Sequence, residues 1–221
     1  MDSSYLQIKP PIAAILSPSI DISAPLTPDA LMSFCESRLR GLDEQIQASF
    51  YKQQLANRDS ARLTSLAGTL TPPSNAVDLS CEGGLECALD AAQKMLAAAD
   101  TMEDPTTRDR LVEAANKLID RVQQGHDYDI KNAFSVGKTP KEMAAAMSGD
   151  KVSATIDPSA FKSLTADAVQ GIQKDLNSSA ELSMINLQSL MSQRQSSVQL
   201  ITNMVQSLGD QLNKIAANVG H

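Results

Sequence analysis

Apolar residues recur at helical spacing in two long segments, one towards each end of the chain. The first segment opens with Thr27-Pro28-Asp29, which places an N-cap residue before a proline at the first helical position. Its apolar stripe, at steps of three and four, consists of Leu31, Cys35, Leu39, Leu42, Ile46 and Phe50, and after a weaker polar middle it resumes at Leu63, Leu66 and Leu70. Pro72 and Pro73 then stop the pattern. The sequence therefore predicts one long helix over 27–70, and the charged residues between the apolar ones, such as Arg58 and Asp59, are interpreted as its solvent-exposed face.

The second segment opens with Asp157-Pro158, which repeats the start signal of the first, and no proline follows to residue 221. From Met184 onward the apolar steps alternate between three and four, which is the period of a left-handed coiled coil. Arg194 interrupts the stripe and either fixes the register or reaches solvent by its long stem. The predicted coiled-coil seam comprises Leu187, Met191, Val198, Ile201, Val205, Leu208, Leu212, Ile215 and Val219.

Two long helices with apolar stripes favour an antiparallel pair within one chain. The predicted fold class is mainly α, with long antiparallel N- and C-terminal helices forming a coiled coil and a smaller helical central insertion that carries minor β structure. The side chains of the first helix expected to pack against the last are Leu39, Leu42, Ile46 and Phe50. Because the last helix is the longer one, its stripe near 205–219 stays unmatched, which indicates a contact with another subunit.

The remaining chain falls into two segments of different composition. Residues 1–26 are rich in Ser, Pro and Ile and are expected to form a disordered leader or export signal. Residues 71–156 are punctuated by glycine and proline and form the central variable domain between the helix over 27–70 and the helix over 157–221.

Within the central segment the apolar patterns are short. They predict helices over 85–102 and 106–124, a third that begins at Thr139-Pro140 and ends at Met147, and a short strand over 152–156.

Composition and charge exclude several classes of function. Aromatic residues make up 3% of the chain and none is Trp, which favours helix over a β-sandwich. A net charge of -7 without a basic stripe argues against a nucleic-acid partner. The apolar runs are far shorter than the roughly 20 residues that cross a bilayer, and Pro10-Pro11 directly after Lys9 is unlike a Sec signal.

Residues suited to catalysis are few. The chain has two histidines, His126 and His221, and the run His126-Asp127-Tyr128-Asp129 is the one polar cluster that could hold a metal or a nucleophile's base. No phosphate loop, zinc-protease or calcium-loop spacing is present, so no catalytic residue, metal or cofactor is expected. Three cysteines are too few for a disulfide framework, and whether Cys81 and Cys87 bridge a short loop stays open.

The end of the chain carries a resemblance to a known family. The segment Leu182 to Leu208, LSMINLQSLMSQRQSSVQLITNMVQSL, is similar to the closing helix of the hydrophilic translocators of bacterial type III secretion systems, the needle-tip and tip-filament proteins. The run LQSLMSQR over 187–194 carries most of the likeness, and Ala154-Thr-Ile-Asp157 before the helix also resembles the family.

This resemblance implies a secreted subunit, located on the bacterial surface at the tip of the secretion needle. Such a protein self-assembles through its C-terminal coiled coil, as a tip or a filament, and supports formation of the translocation pore. The implied partners are further copies of the chain, the needle subunit, the hydrophobic translocators and a cytoplasmic chaperone before export. Residues 71–156 contain no motif of the family, so no host-contact role is carried over.

Two other classes of function remain open on the sequence. An intracellular helical chaperone or adaptor would stay inside the cell as a small oligomer, whereas an assembly subunit would be exported and form larger particles. A hydrolase built around His126 would lose its activity in a His126→Ala variant.

Overall fold

The computed structural model describes residues 27–150 and 154–219, so the predicted leader over 1–26 lies outside the described residues. The described chain is mainly α, and its two long helices pack against each other, which confirms the predicted fold class. The helices are α1 (Pro28–Thr69), α2 (Glu82–Thr101), α3 (Pro105–Gln123), α4 (Ile130–Ser135), α5 (Pro140–Met147), α6 (Pro158–Leu164) and α7 (Ala166–Val219). Strands β1 (Val77–Asp78) and β2 (Thr155–Ile156) pair antiparallel.

The chain forms two compact units, and both long helices contribute to each. Of the described residues, the central unit comprises 42–150 and 154–193, and the terminal unit combines 27–41 with 194–219. In the terminal unit, Cys35 of α1 and Ser197 of α7 are buried, and Leu31, Phe34, Ile201, Met204 and Leu208 are half-buried. These residues mark the faces by which the ends of the two long helices pack.

In the central unit α1 and α7 run antiparallel. The Ser60 hydroxyl donates to Oδ1 of Asn177 at 2.9 Å, and the Gln173 amide donates to Oγ1 of Thr64 at 2.7 Å. Residue numbers therefore increase along α1 while those of the contacting residues on α7 decrease, as expected for antiparallel helices. Buried Leu63 and Leu66 on α1 and buried Val169 and Ile172 on α7 belong to the same hydrophobic core.

The predicted central helices form the rest of that core. Helices α2 and α3 pack on each other, α5 packs on α2, and α6 packs on α3. Local signals in the sequence fix where α3 and α5 begin. Oδ2 of Asp104 accepts from the backbone N–H of Thr107 at 2.7 Å at the start of α3. At the start of α5, Thr139 and Glu142 form a reciprocal capping box. The hydrogen bond from the Thr139 N–H holds the pKa of the Glu142 carboxyl below its usual range.

One carboxylate of α1 holds the turn between α2 and α3. Asp59 is completely buried, and its oxygens accept from the backbone N–H of Glu103 at 3.0 and 3.1 Å and from that of Asp104 at 2.8 Å. Arg62 pairs with Asp59 at 2.9 Å and with Glu103 at 3.1 Å. The prediction that Asp59 lies on a solvent-exposed face is therefore wrong, because its charge meets the free N–H groups at the start of α3.

The last predicted helix is interrupted, contrary to the expectation of one helix from Pro158. Helix α6 ends at Leu164, and α7 begins at Ala166. Between them Thr165 is buried with φ -119° and ψ -92°, and its hydroxyl donates to the carbonyl of Phe161 at 2.7 Å. The break allows Phe161 to be buried in the core while α6 packs on α3. Asp157 precedes α6, as predicted, but its side chain makes no capping hydrogen bond.

Some short elements also differ from the prediction. Helix α4 and strand β1 were not predicted, because their six and two residues are too short to show a period. Strand β2 covers only Thr155–Ile156 of the predicted 152–156, and residues 152 and 153 lie outside the described part.

We expect Asp59→Ala to lower the free energy of unfolding by about 3 kcal/mol, because it leaves the backbone N–H groups of Glu103 and Asp104 without their acceptor. Urea unfolding followed by circular dichroism measures the change. Arg58→Ala is the matched control, since Arg58 is 60% exposed in its ion pair with Glu103, and its loss should cost less than about 1 kcal/mol. Equal effects of the two changes would contradict the role assigned to Asp59.

A second prediction concerns two adjacent glycines at the start of α2. A Cβ at Gly84 would overlap the backbone carbonyl of Asp78, whereas a Cβ at Gly83 would meet nothing. Gly84→Ala should therefore destabilise the protein by roughly 1–3 kcal/mol, while Gly83→Ala should be neutral or stabilising by up to about 1 kcal/mol from helix propensity. Thermal unfolding of both variants tests this, and a stable Gly84→Ala protein would refute the close approach.

Candidate assembly surface

The long helix α7 leaves many apolar side chains exposed on its surface. Five of them, Met184, Met191, Val198, Val205 and Leu212, follow one another at intervals of seven residues. We call these five residues the outward stripe. The other large apolar side chains that are exposed on the described part of α7 are Leu182, Ile185, Leu200 and Ile215. A repeat of seven keeps residues on one side of a helix that supercoils with a partner.

A different row of residues on α7 faces α1. In the central unit Leu190 is buried and Ser183 is half-buried, and in the terminal unit Ser197 is buried and Met204 is half-buried. These four residues, again seven apart, form the inward row of α7. Leu187, Ile201 and Leu208 are half-buried and lie between the inward row and the outward stripe.

The residues of the predicted seam therefore differ in exposure. Leu187, Ile201 and Leu208 are half-buried next to the inward row, whereas Met191, Val198, Val205, Leu212 and Ile215 are exposed. The side chain of Val219 lies outside the described part. The inward row itself was not predicted, because serine at two of its four positions hides its period. The outward stripe and the neighbouring row of Leu187, Ile201 and Leu208 are thus apolar beside the mixed inward row, and this apolar width is typical of a helix in a bundle of three or more.

The partner residues predicted on α1 mostly face inward. Leu42 is buried, and Leu39 and Ile46 are half-buried, but Phe50 is 53% exposed. The prediction for Phe50 is wrong because the inward register of α1 runs through Leu42, Ser49, Ala56 and Leu63 at seven-residue intervals. A step of three from Ile46 reaches Ser49, whereas the step of four reaches Phe50. The prediction chose Phe50 because its side chain is the larger and the more apolar of the two.

The outward stripe lies in a nearly uncharged part of the helix. Between Leu182 and Ile215 the charged residues are Arg194, Asp210 and Lys214. A second copy of the helix would therefore meet little repulsion from like charges, and ion pairs contribute little to the choice of partner.

The cluster around His126 has structural roles. The imidazole is completely buried, and its Nδ1 lies 3.0 Å from Oδ2 of Asp150. Its Nε2 is also buried and has no hydrogen-bond partner among the described residues. Asp129 caps α4 by accepting from the N–H of Asn132 at 3.0 Å, and Lys138 lies over the ring of Tyr128. The ring of His126 is thus shielded from solvent.

No metal site accompanies this cluster in the described chain. Across residues 27–150 and 154–219, no three His, Cys, Asp or Glu side chains come together as metal ligands. Cys35, Cys81 and Cys87 are all free thiols, so the bridge left open by the sequence is not formed. Burial raises the pKa of the Cys87 thiol and Asp90 adds to the rise, which disfavours the reactive thiolate.

Comparisons of the chain with protein-family models, with curated proteins and with solved structures find no match. Among the described helices, none has the length and apolar content needed to cross a membrane. The fold and surface define a mainly helical protein in which one long helix packs by one face and exposes a second apolar face.

We expect His126→Ala to lower the free energy of unfolding by about 2 kcal/mol, because it removes a buried side chain and its bond to Asp150. Asp127→Ala, a change at an exposed residue of the same cluster, should stay within about 0.5 kcal/mol. Thermal unfolding measures both. A hydrolytic activity lost in His126→Ala without any loss of stability would instead favour the hydrolase hypothesis.

Proposed function

We propose that the chain is a secreted structural subunit of the needle tip or tip filament of a type III secretion system, which self-assembles through α7. The outward stripe, five exposed apolar residues at seven-residue intervals, is the observation that carries this proposal. The resemblance of residues 182–208 to the closing helix of hydrophilic translocators supplies the biological setting. On this proposal the needle subunit and the hydrophobic translocators are further partners, and the protein has no catalytic role.

The energetics of the outward stripe support association with another helix. Complete burial of a Val, Leu or Met side chain stabilises by about 1.5–3 kcal/mol, so the half-exposed members of the stripe each have roughly 1 kcal/mol still to gain. Five such residues give about 5 kcal/mol for each helix, before the entropic cost of association is subtracted. A gain of this size is modest for one pair of helices, and it favours an assembly in which each helix makes more than one contact.

The terminal unit offers the clearest place for a second copy. Residues 194–219 of α7 belong to this unit, whereas the helical part of α1 in it covers only 28–41. Residues 211–218 are all exposed, and they include the apolar Leu212 and Ile215. Because α1 is too short to cover the end of α7, a helix from another chain is the natural partner for these residues.

We expect Val205→Asp to prevent assembly while leaving the fold intact, because the new carboxylate would be buried only when a partner covers the stripe. The concentration for half-assembly should rise by more than about 100-fold. Light scattering coupled to size-exclusion chromatography measures it, and circular dichroism checks helicity. Negative-stain microscopy of the void-volume fraction should show filaments or large particles for the wild-type chain.

Two variants serve as controls for Val205→Asp. Asn203→Asp adds the same charge at an exposed position about 160° around the helix and should assemble normally. Leu208→Asp places the charge at a half-buried position and should lower stability as well as assembly. Unchanged assembly of Val205→Asp would remove the proposal. A wild-type chain that stays a small oligomer and is retained in the cell would favour the intracellular chaperone or adaptor instead.

A further inference from the structure

Several methionines of the described chain differ sharply in exposure. Met95, Met143 and Met147 are completely buried in the core of the central unit, and Met102 is nearly so. Met184 and Met191, in contrast, are 45% and 55% exposed on the outward stripe. An oxidant in solution therefore reaches the stripe methionines of the folded chain without first disturbing its core.

We propose that Met184 and Met191 are modification sites at which a peroxide-class oxidant forms methionine sulfoxide and thereby blocks self-association. This inference rests on the proposed function, because it takes the outward stripe as the surface that a second copy covers. The two residues lie one heptad apart on α7, with the half-buried Leu187 between them.

The chemistry requires only an accessible thioether. The sulfur attacks one oxygen of the peroxide, so that an S–O bond forms, the O–O bond breaks, and the other oxygen leaves as water from hydrogen peroxide or as an alcohol from an organic peroxide. The sulfur loses two electrons, and the peroxide is reduced by the same two. The product is a polar sulfoxide in place of a flexible apolar group, and sulfoxide reductases reverse the change.

The apolar side chains near Met184 and Met191 explain why sulfoxide formation would weaken assembly. Leu182 and Ile185 are exposed on α7 at the same level, and Phe50 and Tyr51 are exposed on α1 in the same unit. A sulfoxide oxygen buried against such a surface would lack a hydrogen-bond donor, which is unfavourable. In the free chain the same oxygen is hydrated, so the oxidised subunit keeps its fold.

Limited treatment of the full-length chain with hydrogen peroxide tests the inference. Peptide mass spectrometry should find sulfoxide at Met184 and Met191 at least about 10-fold faster than at Met95, Met143 and Met147, in line with their burial. Dithiothreitol added afterwards returns disulfide and sulfenic forms of the exposed cysteines to thiols, but it leaves the sulfoxides. The oxidised chain should need at least about 10-fold higher concentration for half-assembly, and methionine sulfoxide reductase should restore it.

The double variant Met184→Leu with Met191→Leu is the matched control, because leucine has a similar volume and cannot form a sulfoxide. Peroxide should leave the concentration for half-assembly of this double variant unchanged from its own untreated value. Met32→Leu removes an exposed methionine of α1 and should leave the peroxide effect unchanged. Normal assembly of a wild-type chain oxidised at both positions, or equal loss of assembly in the double variant, would overturn the inference.

The outcomes also separate this inference from the proposed function. If Val205→Asp blocks assembly but the doubly oxidised chain assembles, only the oxidation inference fails. If the untreated wild-type chain and Val205→Asp behave alike, the assembly surface itself is wrong.

Discussion

The buried carboxylate of Asp59 is the interaction on which the arrangement of the central unit depends. A charge in an apolar interior is unfavourable unless every lone pair has a donor. Asp59 finds its donors in the backbone N–H groups of Glu103 and Asp104 and in the guanidinium of Arg62. These N–H groups are oriented only when α2 and α3 are folded and meet at their turn. The carboxylate therefore fixes one position of the helix pair on α1, whereas apolar contacts alone would allow small slips.

Fixing α1 in the core also decides which face of α7 remains free. The residues of α1 at Leu42, Ser49, Ala56 and Leu63 face inward in one heptad register. Within the central unit this register brings Leu190 of α7 into the buried interior and leaves Met184 and Met191 outside. The exposed face of α7 therefore follows from the way the core holds α1. In the sequence this face is visible only as part of an apolar stripe that is too broad to be covered by one partner helix.

The sequence predicts helix starts best and side-chain faces least. Thr27-Pro28 and Thr139-Pro140 act through hydrogen bonds within one turn, and α1 and α5 begin where these signals place them. The break at Thr165 depends on the burial of Phe161 next to α3, which is a contact distant in sequence. Asp59 looks like any surface charge until the turn that it accepts from is known. The exposure of Phe50 follows from a register that residues far along the helix decide.

The two rows of α7 differ in composition in a way that bears on their roles. The inward row contains serine at two of four positions, Ser183 and Ser197, and on α1 Ser49 and Gln53 are half-buried in the same region. The outward stripe contains only Met, Val and Leu. If intramolecular packing alone had shaped the helix, the larger apolar side chains would be expected on the inward side, where their burial stabilises the fold. Their position about 100° around the helix from the inward row is explained when the outward stripe is covered by another helix.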